Sequence, residues 1–168
     1  IGVVRHLSVV EKAHIGERSH IDPCESVRMV RHSNLAEVIV KKRIALIAHD
    51  QKMDELIELA SEYADVLRQC TLLATAGSGK RLSNEVGLTV ERKLPGESGG
   101  CLQIAAELYE GNIDQLIFLR DPATAHAEES DINALLRACD QHNVVYATNE
   151  ATARLILSQL QAHRHSQS

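Results

Sequence analysis

Tryptophan is absent from this 168-residue chain, phenylalanine occurs once, and aromatic residues make up only 2% of it. So few rings leave no material for a platform on which nucleic-acid bases stack. A basic excess is also missing. Eighteen Lys and Arg stand against 23 Asp and Glu, a net charge of −5, so no nucleic-acid partner is expected. The cysteines Cys24, Cys70, Cys101 and Cys139 form no C-x-x-C pair, which argues against a cysteine zinc site. They read as reduced thiols of a cytoplasmic protein. No apolar run approaches the ~20 residues of a membrane span, and the opening "IGVVRHLSVVEKAH" lacks the pattern of a secretion signal. Internal repeats and low-complexity tracts are absent too.

What is present is aliphatic. Hydrophobic residues make up 44% of the chain, enough for one domain with a full Leu/Ile/Val/Ala core and an extension. From residue 43 onward, short apolar runs alternate with segments of helical spacing. "RIALIA" (43–48) and "TLLAT" (71–75) suit strands buried on both faces. Between them, residues 51–70 carry apolar positions at helical intervals. "AGSG" (76–79) is expected as a turn before a short helix "KRLSNEV", and "TVERKL" (89–94) as a strand with one polar face. The glycine turn 95–101, "PGESGGC", leads into a helix ended by Gly111. "DQLIFL" (114–119), a helix "DINALLRACDQHN", a strand "VVYAT" and a helix "NEATARLILSQLQAH" complete the order. The runs 44–48, 72–74, 116–119 and 144–147 are expected to be buried.

This alternation predicts a three-layer α/β fold, a doubly wound parallel sheet of about five strands with helices on both faces. The expected division is an N-terminal extension at 1–42, partly helical, a domain at 43–162 and a loose tail at 163–168. "DPCE" (22–25) has the form of a helix start. The histidines of the extension show no ligand spacing and are read as solvated or packing residues.

In such sheets ligands bind beyond the carboxyl ends of the strands. The informative residues are therefore His49-Asp50, the stretch 75–79, Pro95 to Cys101, Arg120-Asp121-Pro122 and Thr148-Asn149. Glycine-rich turns entering helices expose backbone N–H groups and suit an anion.

"IALIAHD", "LLATAGSGKRLSNEVGLTV", "PGESGGCLQIAAELYEGNIDQLIFLRDP", "DINALLR" and "VYATNEATARLIL" together resemble methylglyoxal synthase over residues 43–160. The resemblance implies a lyase that takes dihydroxyacetone phosphate to methylglyoxal and inorganic phosphate, with no metal or organic cofactor. It further implies a homo-oligomer, typically a hexamer, with a small phosphorylated metabolite or inorganic phosphate as partner and neither nucleic acid nor membrane. His49, Asp50, Asp121 and Asp131 match family acids and bases. Thr75, Ser78, Gly79, Gly96, Gly99 and Gly100 match its phosphate-binding loops.

Several positions depart from the family pattern. Met53 stands where the family has a phosphate-contacting lysine. Lys52 lies beside it and is the candidate phosphate contact in its stead, although ~100° around a helix. Ala76 and Gly77 replace a glycine and a threonine, Pro95 replaces a serine, and Glu128 replaces a histidine, with His126 two residues earlier. Cys101 occupies the place of the proton-abstracting aspartate. A helix N-terminus favours a thiolate, yet sulfur lies closer to the backbone than a carboxylate oxygen, and a shortfall of ~1 Å can cost ~10²-fold in rate. A working base and a small buried cysteine in a retired site are both open readings. So are three functions: a lyase with an altered site, a non-catalytic binding domain for a phosphorylated metabolite, and an assembly protein with a vestigial pocket.

Overall fold

The computed structural model describes residues 41–123 and 129–165. The extension, apart from its last two residues, lies outside the described residues, as do His126 and Glu128. Five strands, β1 (Arg43–Ala48), β2 (Thr71–Ala74), β3 (Val90–Arg92), β4 (Gln115–Leu119) and β5 (Val145–Ala147), form one parallel sheet in the order β3-β2-β1-β4-β5. The helices are α1 (Met53–Glu62), α2 (Ala64–Leu67), α3 (Ala76–Arg81), α4 (Gly100–Tyr109), α5 (Glu129–His142) and α6 (Glu150–His165).

The alternation of side chains along β1 and β4 creates two cores. Ile44, Leu46, Ile117 and Leu119 face α1, α2 and α6, where Leu56, Leu59, Leu67 and Leu157 meet them. Ala45, Ile47, Leu116 and Phe118 face α4 and α5, against Ile104, Leu108, Leu135 and Cys139. A strand with apolar residues on both faces must be covered on both, and this is why β1 and β4 occupy the middle of the sheet. The three-layer, doubly wound fold read from the sequence is the fold observed.

Some local expectations are corrected. The run 144–147 is not buried throughout: β5 is an edge strand, and Val145 is 55% exposed while Ala147 is buried. An edge strand has a neighbour on one side only, so part of its apolar content faces out. The segment "AGSG" is not a turn before a helix but the first turn of α3, with Thr75 preceding it in extended conformation. A wider turn, Leu82–Val86, follows α3 and ends at Gly87. The segment 51–70 is broken into a 3-10 turn (Asp50–Lys52), α1 and α2. Finally, α6 runs through His165, three residues into the stretch expected as tail.

No helix among the described residues is long and apolar enough to cross a membrane. Cys70, Cys101 and Cys139 form no disulfide.

Ile104 is fully buried between α4 and the sheet. Truncating it leaves a cavity, so Ile104→Ala is expected to lower stability by about 2–5 kcal/mol, read as a fall in the urea midpoint. Burial, with Asp140 adjacent, pushes the Cys139 thiol up to about 12. The folded state thus keeps a proton that the unfolded chain loses at about pH 8.5. Stability is accordingly full below that pH and falls as pH rises toward 12. Cys139→Ala is expected to flatten this part of the denaturation profile; a slope unchanged from wild type would contradict the assignment.

Candidate active site

The strand order places a switch point between β1 and β4, whose connections leave to opposite sides of the sheet. His49 is the first residue beyond β1, and its backbone N–H donates to Leu119 O at 3.1 Å. Its ring packs edge-on against Phe118, with centroids 5.0 Å apart. The backbone N–H of Asp121 donates to His49 Nδ1 at 2.9 Å. A nitrogen that accepts cannot carry the proton, so His49 is a neutral imidazole protonated at Nε2. The residue is 7% exposed, and Nε2 is shut off from bulk water.

Ser78, on α3, ties this point to the next loop. Its hydroxyl oxygen accepts from Ala48 N–H at 3.2 Å and from the Thr75 hydroxyl at 3.3 Å. Two acceptor contacts leave Ser78's own proton to donate. The Ala76 N–H goes to Leu94 O, while those of Gly77 and Ser78 open α3 and have no acceptor within it. Gly79 serves packing: a Cβ there would come within 2.6 Å of Arg92 Cγ.

The glycine turn comprises a 3-10 segment (Gly96–Ser98) running into α4. Gly99 has φ +90°, a region that costs an ordinary residue strain. A Cβ on Gly100 would lie 2.1 Å from Leu94 O. The N–H groups of Gly99 and Gly100 donate to Gly96 O at 3.1 Å and Pro95 O at 2.9 Å. These glycines, matched to phosphate contacts in sequence, spend their amides inside the turn. The N–H groups of Gly96 and Glu97 begin the 3-10 segment and have no acceptor within it. Cys101 follows in the first turn of α4, 3% exposed and part of the core beneath.

These loops enclose a cavity of about 370 Å³ lined by, among others, His49, Asp50, Thr75, Ser78, Gly96 and Cys101. Met53, Pro95 and Ile132 add apolar walls, and Gln51 and Glu97 complete its polar rim. Among the described residues no lysine or arginine lines it. Asp50 and Glu97 do, and neither carboxylate has an ion pair or side-chain hydrogen bond among the described residues.

The remaining expected residues lie elsewhere. Asp121 turns Oδ1 back to accept from Ala123 N–H at 3.0 Å. Asp131 accepts from the Ser130 hydroxyl at 3.3 Å, and its neighbour Ile132 is the one that reaches the cavity. Lys52 lines a second cavity of about 720 Å³ with Arg120, Pro122, Thr148 and Asn149. Its ammonium bonds Glu55 at 2.5 Å, which holds the lysine above its usual range. The loops expected to gather at one site are thus divided between two. Gln51 was missed by sequence reasoning, and Glu97 was included only within the stretch Pro95 to Cys101, with no role of its own. The signal for Glu97 was its place inside the glycine turn, where every residue is near the edge of the sheet. Among the described residues no cluster of His, Cys, Asp and Glu is arranged to hold a metal.

Comparison with known proteins identifies the family. The model of the MGS-like domain family matches residues 55–148. A methylglyoxal synthase of Burkholderia multivorans (strain ATCC 17616 / 249) is 58% identical over 120 residues, covering 71% of this chain and 92% of that protein. The methylglyoxal synthase of Burkholderia thailandensis (strain ATCC 700388 / DSM 13276 / CCUG 48851 / CIP 106301 / E264) is 57% identical over 118 residues, or 70% of this chain and 91% of its own. The crystal structure of methylglyoxal synthase from Elizabethkingia anophelis NUHP1 matches with a TM-score of 0.67 at 37% identity, covering 70% of this chain and 78% of that one. With a family model, sequence relatives and a solved structure in agreement, this chain belongs to the methylglyoxal synthase family of MGS-like domains.

Proposed function

We propose that the His49 cavity is the site of a phosphate-eliminating lyase that converts dihydroxyacetone phosphate to methylglyoxal and inorganic phosphate, without a metal or organic cofactor. The observation that carries this reading is the fixed tautomer of His49 in a cavity shared with Cys101. By the resemblance read from the sequence, Cys101 takes the place of the family's carboxylate base. In the proposed reaction the Cys101 thiolate takes a proton from the hydroxymethyl carbon, and the electron pair left behind forms the enediol double bond. His49 Nε2–H supports the charge developing on the carbonyl oxygen and gives it a proton. The hydroxyl on the former hydroxymethyl carbon then returns its proton to His49, its oxygen becomes the aldehyde carbonyl as the double bond shifts to the phosphate-bearing carbon, phosphate departs with the carbon–oxygen bonding pair, and the remaining enol ketonises to methylglyoxal.

Asp50, at the rim, returns protons to the imidazole and to the product. Asp121 acts through its backbone amide as the positioning group for His49. Asp131 is assigned a place in the first turn of α5 rather than contact with substrate. The phosphate is held by the Ser78 hydroxyl and the N–H groups of Gly77, Gly96 and Glu97. Thr75 positions Ser78, Gly99 and Gly100 shape the turn, and Lys52 has no part in this cavity.

A second reading, a non-catalytic domain that binds a small phosphorylated metabolite, is favoured by the absence of lysine and arginine from the cavity lining among the described residues. Both readings place the chain in the cytoplasm as a homo-oligomer, with the hexamer as the expected form. Thiols outside any disulfide fit that compartment. The exposed Leu94, Leu102 and Tyr109 supply apolar surface for assembly.

Phosphate release from dihydroxyacetone phosphate in the presence of a chelator tests the proposal. Wild type is expected to release phosphate, Cys101→Ala to lose activity, and Cys101→Asp to gain about 10²-fold through restored reach. If all three fold and bind phosphate but release none from the ester, the binding-domain reading stands and the lyase reading falls.

A further inference from the structure

The charge lining the cavity is unusual for a site that receives a phosphate ester. A phosphate monoester carries close to two negative charges at neutral pH, its second ionisation lying near pKa 6. The described residues meet it with hydrogen-bond donors but no cation. Donors come from the Ser78 hydroxyl and from the amides that open α3 and the Gly96–Ser98 segment. On the same rim stand the carboxylates of Asp50 and Glu97, both exposed and both without an ion-pair or hydrogen-bond partner among the described residues. Lys52 offers no compensation, because it lines the neighbouring cavity and is bonded to Glu55. Arg92, on the edge strand β3, lays its aliphatic stem over Gly79 rather than lining the cavity.

A carboxylate repels a dianionic phosphoryl group. It is an acceptor for a singly protonated one, because the P–OH of the monoanion donates to it. Glu97 is placed for this role. Its own amide and that of Gly96 are donors to the anionic oxygens, and its side chain leaves the same turn. One turn therefore offers donors for the charged oxygens and an acceptor for the protonated one.

We propose that Glu97 makes this site selective for the monoanion of a phosphate monoester. The inference rests on the reading of the cavity as a phosphoester site and adds the protonation state of the ligand to it. Glu97 is a specificity residue, and Asp50 contributes repulsion of the dianion from the opposite part of the rim. The titratable groups that line the cavity with them are His49, after β1, and Cys101, on α4; α1 and α5 contribute the uncharged Met53 and Ile132.

The experiment is calorimetric titration of the full chain with methyl phosphate, and separately with sulfate, between pH 6 and pH 8, above the ordinary carboxylate range. Methyl phosphate is about half monoanion at pH 6 and about 1% at pH 8, so its affinity is expected to rise about 50-fold on going from pH 8 to pH 6. Sulfate has no proton to donate in this range and is expected to bind weakly at every pH. The sulfate arm separates the proposal from charging of His49 or Cys101, either of which would change sulfate affinity in parallel. Glu97→Gln replaces an exposed side chain without partners, and its fold is checked by thermal melting. It is expected to remove most of the pH dependence and to admit sulfate. Methyl phosphate affinity that is flat or rises with pH would overturn the monoanion assignment while leaving the phosphoester reading intact. Parallel behaviour of sulfate, or an unchanged slope in Glu97→Gln, would overturn it equally. No binding of methyl phosphate at any pH, in wild type or variant, would remove the phosphoester reading and the inference with it.

Discussion

The pairing of β1 with β4 is the constraint on which the site depends. Its register runs from Ile44 opposite Gln115 to Ala48 opposite Leu119. The ladder then continues past the end of regular structure, through His49 N–H to Leu119 O and Asp121 N–H to the His49 ring. The imidazole thus takes the place of a backbone carbonyl as the next acceptor beside β4. Its orientation and tautomer follow from the sheet. Phe118 against the ring edge fixes the remaining freedom.

Around that fixed ring, the other loops are brought in by packing and by backbone bonds. Lys93 N–H bonds Ala74 O and Ala76 N–H bonds Leu94 O, which seats the start of the glycine turn beside the start of α3. Gly100 then passes so close to Leu94 that no side chain fits. Cys101 therefore arrives at the cavity whatever its chemistry, because Ile104, Ala105 and Leu108 behind it are anchored in the core. In the proposed phosphoester site, the thiol that the family resemblance sets against a carboxylate, Met53 set against a lysine, and Glu97 on the rim bear on charge and not on the fold.

Much of this was legible in the sequence because it is written in periodicity. Continuous apolar runs at 44–48, 72–74 and 116–119 specify strands covered on both faces, and the structure buries them. Val145 defeated the same rule because an apolar residue carries no mark of an edge position. The start of α3 was missed because Ala76, Gly77 and Gly79 have the composition of a turn. The local i to i−4 bond from Gly79 N–H to Thr75 O makes it helical, and the tertiary bond from Ala48 N–H to Ser78 Oγ holds it against β1. Residue types at the site were legible, but their partners were not. Nothing in the order of residues says that Asp121 holds His49 by its amide, that Gly99 and Gly100 spend theirs inside the turn, or that Lys52 turns to the other cavity. Those facts depend on which loops meet, and the sheet order decides that.

The central claim is that His49 is a neutral imidazole held by the Asp121 amide with its proton on Nε2. Nitrogen-15 NMR of the histidine-labelled protein at neutral pH, with His49 assigned through a His49→Gln control, measures this directly. The account predicts an unprotonated, hydrogen-bonded Nδ1 and a protonated Nε2 for this residue. A proton on Nδ1, or rapid exchange between the two tautomers, would contradict it.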